Sequence, residues 1–325
     1  MDDIGIKKIN LETQQYHNGS VFPLVYDAKD LSDAEACKDW LHHHRNQLED
    51  ELTVHGAILF RGFKIDDDLG FDRFIRAFDW PSFTYEESLS NAVRHNRTEL
   101  VFTANEAPPS VSIFLHHEMA QTPIYPSKLF FFCEQASEVG GATPICRSDV
   151  LLEHLQKEVP DFVKSCETKG IRYSQTMPAE NDLESGQGRS WANTLSASNI
   201  NEAEAKLERL GYQWQWQPDG SLSVTTPVLP AIRRLSDGRK VFFNQLIAAF
   251  RGWQDARNNS EKSICFGDNS LISNDDMTKV IRLSNLLTFD IPWQTGDVVL
   301  VDNFTTMHGR RPFEGQRRVL ASLIK

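Results

Sequence analysis

The sequence predicts a mainly β protein, with a β-sandwich or barrel core that carries helical insertions. Three observations lead there. Apolar runs of strand length recur at 56–60, 129–133, 298–301 and 319–323. Two Asp-Gly pairs, Asp219-Gly220 and Asp237-Gly238, stand between strand-forming residues, as hairpin turns do. The helical segments between these runs do not alternate with them regularly, which argues against a parallel α/β fold.

Taken in order, residues 1–30 read as extended chain with turns. Ser32-Asp33-Ala34-Glu35 fits a capping box that opens a helix toward about Leu52. Its His42-His43-His44 run reads as a solvated face, since consecutive helical side chains diverge by about 100° and cannot chelate one ion. Residues 66–80 read as a helix whose apolar face is Leu69, Phe71, Phe74, Ile75 and Phe78. The stretch 81–113 shows few clean periods, and Pro108-Pro109 marks an irregular connection. Gly140-Gly141-Ala142-Thr143-Pro144 is a turn. A helix follows from Asp149, breaks near Pro160 and stops at Gly170. Residues 175–200 are polar and glycine-containing, and are expected to form a mobile loop from which Trp191 reaches a site. Further helices are expected over 201–210 and from Ser273 to about Leu287. There is no internal repeat, and one domain is expected to span 1–325.

A formal net charge of -11 disfavours binding to nucleic acid and to acidic membrane surfaces. No apolar run approaches the roughly 18 residues needed to span a bilayer. The start, Met1-Asp2-Asp3-Ile4-Gly5, lacks the features of a signal peptide. The five cysteines include no CxxC pair and read as reduced packing residues of a cytoplasmic protein.

The chemistry concentrates at Phe114-Leu115-His116-His117-Glu118. In extended chain, residues two apart point to one side, so His116 and Glu118 can aim at one point while His117 faces away. With a distant histidine they would make the 2-His-1-carboxylate facial triad of non-heme iron oxygenases. His308, placed at a strand end after the turn Asp302-Asn303, is the best third ligand. A charged strand end with solvated histidines remains the alternative on this evidence alone. Arg317-Arg318 then enters the last strand, where adjacent residues face opposite sides. One guanidinium must therefore face inward and needs an anionic partner, a carboxylate or a structural salt bridge. The zincin motif fails at Gln121, and no nucleophile elbow, P-loop or dinucleotide fingerprint is present.

Taken together, H-x-E at His116 and Glu118, G-G-x-T at 140–143, His308 and then Arg318 resemble the TauD/TfdA group of Fe(II)/2-oxoglutarate-dependent oxygenases. The blocks at 56–63, 102–106, 116–121, 126–131 and 310–323 are similar to plant clavaminate synthase-like proteins. This resemblance implies a double-stranded β-helix (jelly-roll) core with helices packed outside. It implies Fe(II) held by His116, Glu118 and His308, with 2-oxoglutarate and O2 as cosubstrates. The far carboxylate of 2-oxoglutarate would meet Arg318 and Thr143. The family often carries a second arginine four residues further on; here that position is Ser322. The implied reaction hydroxylates a C–H of an amino-acid-like or other small polar substrate, free or carrier-bound, in secondary metabolism, with release of succinate and CO2. Asn105, Glu106 and Asn244 are the expected substrate contacts, Glu106 for a substrate amine, and Phe114 with 130–132 an apolar wall. The rival readings are a non-catalytic jelly-roll that binds metal or ligand, and a zinc-dependent hydrolase.

Overall fold

The apolar runs are strands, and their side chains alternate between two layers of core. This computed structural model describes residues 5–31, 33–84, 89–90, 94–182, 188–253, 257–258 and 263–325. The larger sheet runs Lys7–Lys8, Leu24–Asp27, Ala57–Arg61, Val298–Asp302, Lys128–Gln135, Arg318–Ile324 and Phe102–Thr103. All its ladders are antiparallel except that between Leu24–Asp27 and Ala57–Arg61. Leu129, Phe131, Val299, Val301, Val319, Ala321 and Leu323 point to one face. Phe130, Phe132, Val298, Leu300 and Leu320 point to the other.

The first of these faces meets a second sheet, ordered Thr288–Ile291, Thr143–Arg147, Thr306–Arg310 and Ile113–His116. Ile145, Phe289 and Ile291 close the layer between the sheets. Its outer residues Leu115, Cys146 and Met307 pack with the helices Ser148–Glu158, Pro160–Lys169, Leu246–Gly252 and Asn274–Leu286. The opposite flank of the larger sheet is covered by the helices Ala34–His55 and Asp68–Arg76. The result is a two-sheet antiparallel sandwich between helices, the jelly-roll arrangement that the resemblance implies. A third sheet, Gln213–Trp216, Leu222–Thr225, Ile171–Met177 and Ile264–Phe266, uses the Asp219-Gly220 hairpin, with Gly220 at φ 79.

Several local expectations change. The first helix is capped by Asp33, whose carboxylate accepts from the Ala36 N–H at 2.8 Å; Ser32 lies outside the described residues. Leu69 is not on the apolar face and is 57% exposed. Phe71, Phe74, Ile75 and Phe78 follow the i, i+3, i+4, i+7 spacing, whereas Leu69 stands two residues before Phe71, on the far side of the helix. The stretch 175–200, expected to be a loop, has regular elements at its two ends. A strand continues to Met177, and Ser190 caps a short helix, Trp191–Leu195. Trp191 packs edge-on against Trp216 at 5.0 Å, and residues 183–187 lie outside the described residues. The histidine run diverges as expected: the Nδ1 atoms of His43 and His44 bond back to the Asp39 and Trp40 carbonyls. All five cysteines are free, and no helix among the described residues is long and apolar enough to cross a membrane.

Phe60 is fully buried and touches Phe63 and Phe74 edge-on at 5.3 Å each. Phe60→Ala is therefore expected to cost about 3–5 kcal/mol, and Leu69→Ala no more than about 0.5 kcal/mol. Equilibrium urea unfolding of the two variants checks the contrast, which fails if they shift the midpoint equally.

Candidate metal centre

The second sheet brings the two histidines together. His116 ends the strand Ile113–His116 and pairs directly with His308 in the ladder. His308 does not stand at a strand end, as its position after a turn suggests, but in the middle of Thr306–Arg310, with Ile145 opposite it on the other side. Gly309 permits the close approach, since a Cβ there would lie 2.4 Å from the Ile113 carbonyl oxygen. The imidazole centroids are 4.4 Å apart.

Glu118 completes the cluster from just beyond the strand. One donor atom from each of His116, Glu118 and His308 falls within 4.8 Å of the others. Asn303 sets the position of Glu118. Its Oδ1 accepts from the Glu118 N–H at 2.7 Å, and its amide nitrogen donates to the carbonyls of Glu118 at 3.0 Å and Pro126 at 2.8 Å. The next residue, Met119, is fully buried with φ 58, so the chain turns sharply just after the carboxylate. Asp302 makes the preceding turn, accepting from the Phe304 N–H and the Thr305 hydroxyl.

Electrostatics leave His116 and Glu118 in the state that binds metal. The His116 Nδ1–H donates to the Phe114 carbonyl at 2.7 Å, which leaves the Nε2 lone pair for the centre. Burial, with His308 adding to it, pushes His116 down to about 4, so the ring is neutral at physiological pH. Burial alone would raise the Glu118 carboxyl, but Arg94, His308 and His116 outweigh it and hold the group well below the usual carboxylate range. Nδ1 of His308 is buried with no partner, while its Nε2 lies 3.5 Å from Glu118 Oε2. Two imidazoles and one ionised carboxylate converging from one side fit a divalent iron site with open positions.

His117 turns away, as the alternation predicts. It is fully buried, its Nδ1 bonds to the Asn303 carbonyl at 2.5 Å, and its ring lies 4.8 Å from Phe243. Asn244 sits behind it. Its amide donates to the Ala231 carbonyl and accepts from the Leu246 N–H, and its own carbonyl accepts from the His117 N–H. Both ends of that amide are engaged with backbone, so Asn244 supports the chain behind His116 and Glu118.

Thr143 is buried two residues along the strand from Ile145, hence about 7 Å of strand rise from the level of His308. Its hydroxyl oxygen accepts from the Trp293 indole at 3.0 Å and from Arg317 at 3.4 Å. Arg317 also donates to the Gly141 carbonyl at 2.8 Å. No carboxylate pairs with Arg317 among the described residues. Burial, with Arg310 nearby, pushes this guanidinium down to about 10, which keeps it charged near neutral pH. A Cβ on Gly141, at φ 71, would lie 3.0 Å from Arg317 Cδ. Arg318, the expected anchor, is instead outside: its side chain is 58% exposed and pairs with Glu134 at 2.8 Å. The reason is parity. Arg317 shares the inward face of Val319 and Ala321, and Arg318 takes the opposite one.

Arg94 was not singled out by the sequence. Its guanidinium donates to both Glu118 oxygens, at 3.1 and 3.3 Å, and its side chain is 8% exposed. It lies in the aperiodic stretch 81–113, where no pattern marked it. Asn303 carried only a turn signal. The loop bearing Asn105 and Glu106 is held by Arg310, which donates to the carbonyls of Asn105, Ala107, Pro108 and Val111. Asn105 caps the Ala107 N–H, and Glu106 is exposed. Of the expected apolar wall, Phe131 lies 5.1 Å from His308, Phe130 and Phe132 face the outer helices, and Phe114 packs under Arg251.

Comparison with known proteins agrees with this geometry. The family model for "Taurine catabolism dioxygenase TauD, TfdA family" matches residues 27–323. The clavaminate synthase-like protein At3g21360 of Arabidopsis thaliana is 39% identical over 282 residues, covering 86% of this chain and 85% of the relative. The dapdiamide synthesis protein DdaC of Enterobacter agglomerans is 29% identical, covering 95% of each. Among solved structures, PvcB of Pseudomonas aeruginosa superposes with a TM-score of 0.54 at 13% identity, over 100% of this chain and 92% of PvcB. A second PvcB structure is described as an Fe, α-ketoglutarate dependent oxygenase from an isonitrile synthetic pathway. A taurine dioxygenase from Burkholderia xenovorans gives 0.52 at 13% identity, over 98% and 89% of the two chains. With nearly the whole chain matched and the triad assembled on a jelly-roll, the protein belongs to the TauD/TfdA family of Fe(II)/2-oxoglutarate-dependent dioxygenases.

Proposed function

We propose that this dioxygenase binds Fe(II) through His116, Glu118 and His308, and hydroxylates a C–H of a small, amino-acid-like substrate with release of succinate and CO2. The observation that carries the reading is the convergence of the three ligand atoms within 4.8 Å, beside a partly buried arginine with no anionic partner among the described residues. Bound iron would supply the activation of O2 and the oxidation of 2-oxoglutarate and substrate; the chain supplies position and a dry site. Arg317 and the Thr143 hydroxyl hold the far carboxylate of 2-oxoglutarate. Their distance along the strand from His308 suits a five-carbon dicarboxylate whose other end is at the metal. Phe131 walls the site beside His308.

On the substrate side, the exposed Glu106 carboxylate is the group to receive a substrate amine, on a loop that Arg310 ties to the strand of His308. Two of the similar proteins are named for biosynthesis, of dapdiamide and of an isonitrile, which supports a biosynthetic small molecule as the substrate here. The chain works as one domain, in the cytoplasm.

Three outcomes test this. Anaerobic Fe(II) with 2-oxoglutarate should give a visible charge-transfer band that Glu118→Ala abolishes; a band of undiminished strength in that variant removes Glu118 from the ligand set. Arg317→Ala should raise the KM for 2-oxoglutarate on the order of 10- to 100-fold, the loss of one charged hydrogen-bonded pair. Arg318→Ala should leave it nearly unchanged. The reverse ranking would return the anchor to Arg318. Finally, succinate release should rise above the uncoupled rate with some member of a library of amino acids and small acids. The rise should weaken in Glu106→Gln for amine-bearing members, and a library in which only neutral, amine-free compounds respond would overturn the amino-acid reading.

A further inference from the structure

We propose that Arg94 is a second cosubstrate-binding residue, holding the keto-acid carboxylate at the metal while Arg317 holds the far one. The proposal rests on the iron and 2-oxoglutarate reading above. A dicarboxylate with both ends buried needs a cation, or several strong donors, at each end. The last strand provides one inward arginine only. The residue four positions after Arg317 is Ala321, and Ser322 follows it; both are buried and neither carries charge. The near end therefore depends on the metal and on whatever else faces it.

Arg94 faces it. Its side chain is more than nine-tenths buried, it touches the metal-ligating carboxylate itself, and it has donors to spare. Of the five guanidinium N–H groups, only those on one terminal nitrogen reach Glu118. Nε is buried with no acceptor. The cation is otherwise covered by the Phe102 ring, whose centroid is 5.3 Å from Cζ. A buried donor with no acceptor is unfavourable, and an anion seated at the metal would supply one. Charge balance points the same way. A divalent ion next to one carboxylate and one arginine leaves an excess of positive charge, which the keto-acid carboxylate would balance. Glu118 can give one oxygen to the metal and keep the other on Arg94, so ion pair and metal site are compatible.

A purely structural role, orienting Glu118, predicts something different, and two keto acids separate the cases. Pyruvate has the near carboxylate of 2-oxoglutarate and lacks the far one. Affinities are read from the charge-transfer band of the anaerobic, Fe(II)-saturated protein, and Fe(II) affinity is measured separately without keto acid. Arg94→Gln should weaken 2-oxoglutarate and pyruvate by a similar factor, on the order of tenfold or more. Arg317→Ala should weaken 2-oxoglutarate far more than pyruvate. Arg94→Lys, which keeps the charge and loses the fork, should fall between wild type and Arg94→Gln, and decides the matter if the Gln variant does not fold by circular dichroism. The proposal is overturned if Arg94→Gln (or Arg94→Lys in its place) changes Fe(II) affinity while both keto acids bind the saturated protein as in wild type. No band in the wild-type protein would instead sink the iron and 2-oxoglutarate reading.

Discussion

The antiparallel pairing of Ile113–His116 with Thr306–Arg310 is the constraint on which the site depends. It sets His116 opposite His308 across a ladder closed up at Gly309, where any side chain would collide with the neighbouring backbone. Two imidazoles 192 residues apart in sequence (308 minus 116) thus meet within 4.8 Å of one carboxylate. Asn303 ties the same two segments a second time, through the backbone of Glu118 and the ring of His117. Ladder and clamp are made of buried, directional bonds, so the triad is held ready before any metal arrives.

Around this frame three arginines are buried or partly buried, and each is held differently. Arg310 donates from both terminal nitrogens to four backbone carbonyls and works as a scaffold for the 105–111 loop. Arg94 is paired with Glu118 and keeps unused donors. Arg317 rests on a carbonyl and a hydroxyl oxygen with no counter-charge. A buried cation without an anion is unfavourable enough that an anionic ligand is its natural complement. The three differ in what faces the charge: four backbone carbonyls at Arg310, a carboxylate at Arg94, and no anion among the described residues at Arg317.

Much of this was legible in the chain. The apolar runs, the two Asp-Gly hairpins and the i, i+2 spacing of His116 and Glu118 express local rules of strand and turn, and they locate the sheets and two of the three clustered side chains. The family's spacing of motifs supplied His308 and Thr143. Leu69 and Ser32 show the limit of local reading: an apolar residue can lie off the helical stripe, and Asp33, one position on from the expected cap, makes the bond to the helix backbone.

Two decisions belonged to the fold alone. Arg317 and Arg318 are chemically identical neighbours, and the strand after them is apolar on both faces, so nothing local says which points inward; packing of Val319 and Ala321 against the second sheet does. Arg94 and Asn303 carry no periodic signal, because their roles arise from contacts across 24 and 185 residues with Glu118. The sequence by itself determined a β-sandwich with an H-x-E strand end whose two side chains can share one face, since those features follow from residue spacing. Which arginines turn toward the His116, Glu118 and His308 cluster was decided by tertiary structure, because the face a side chain takes is set by what packs against the strand.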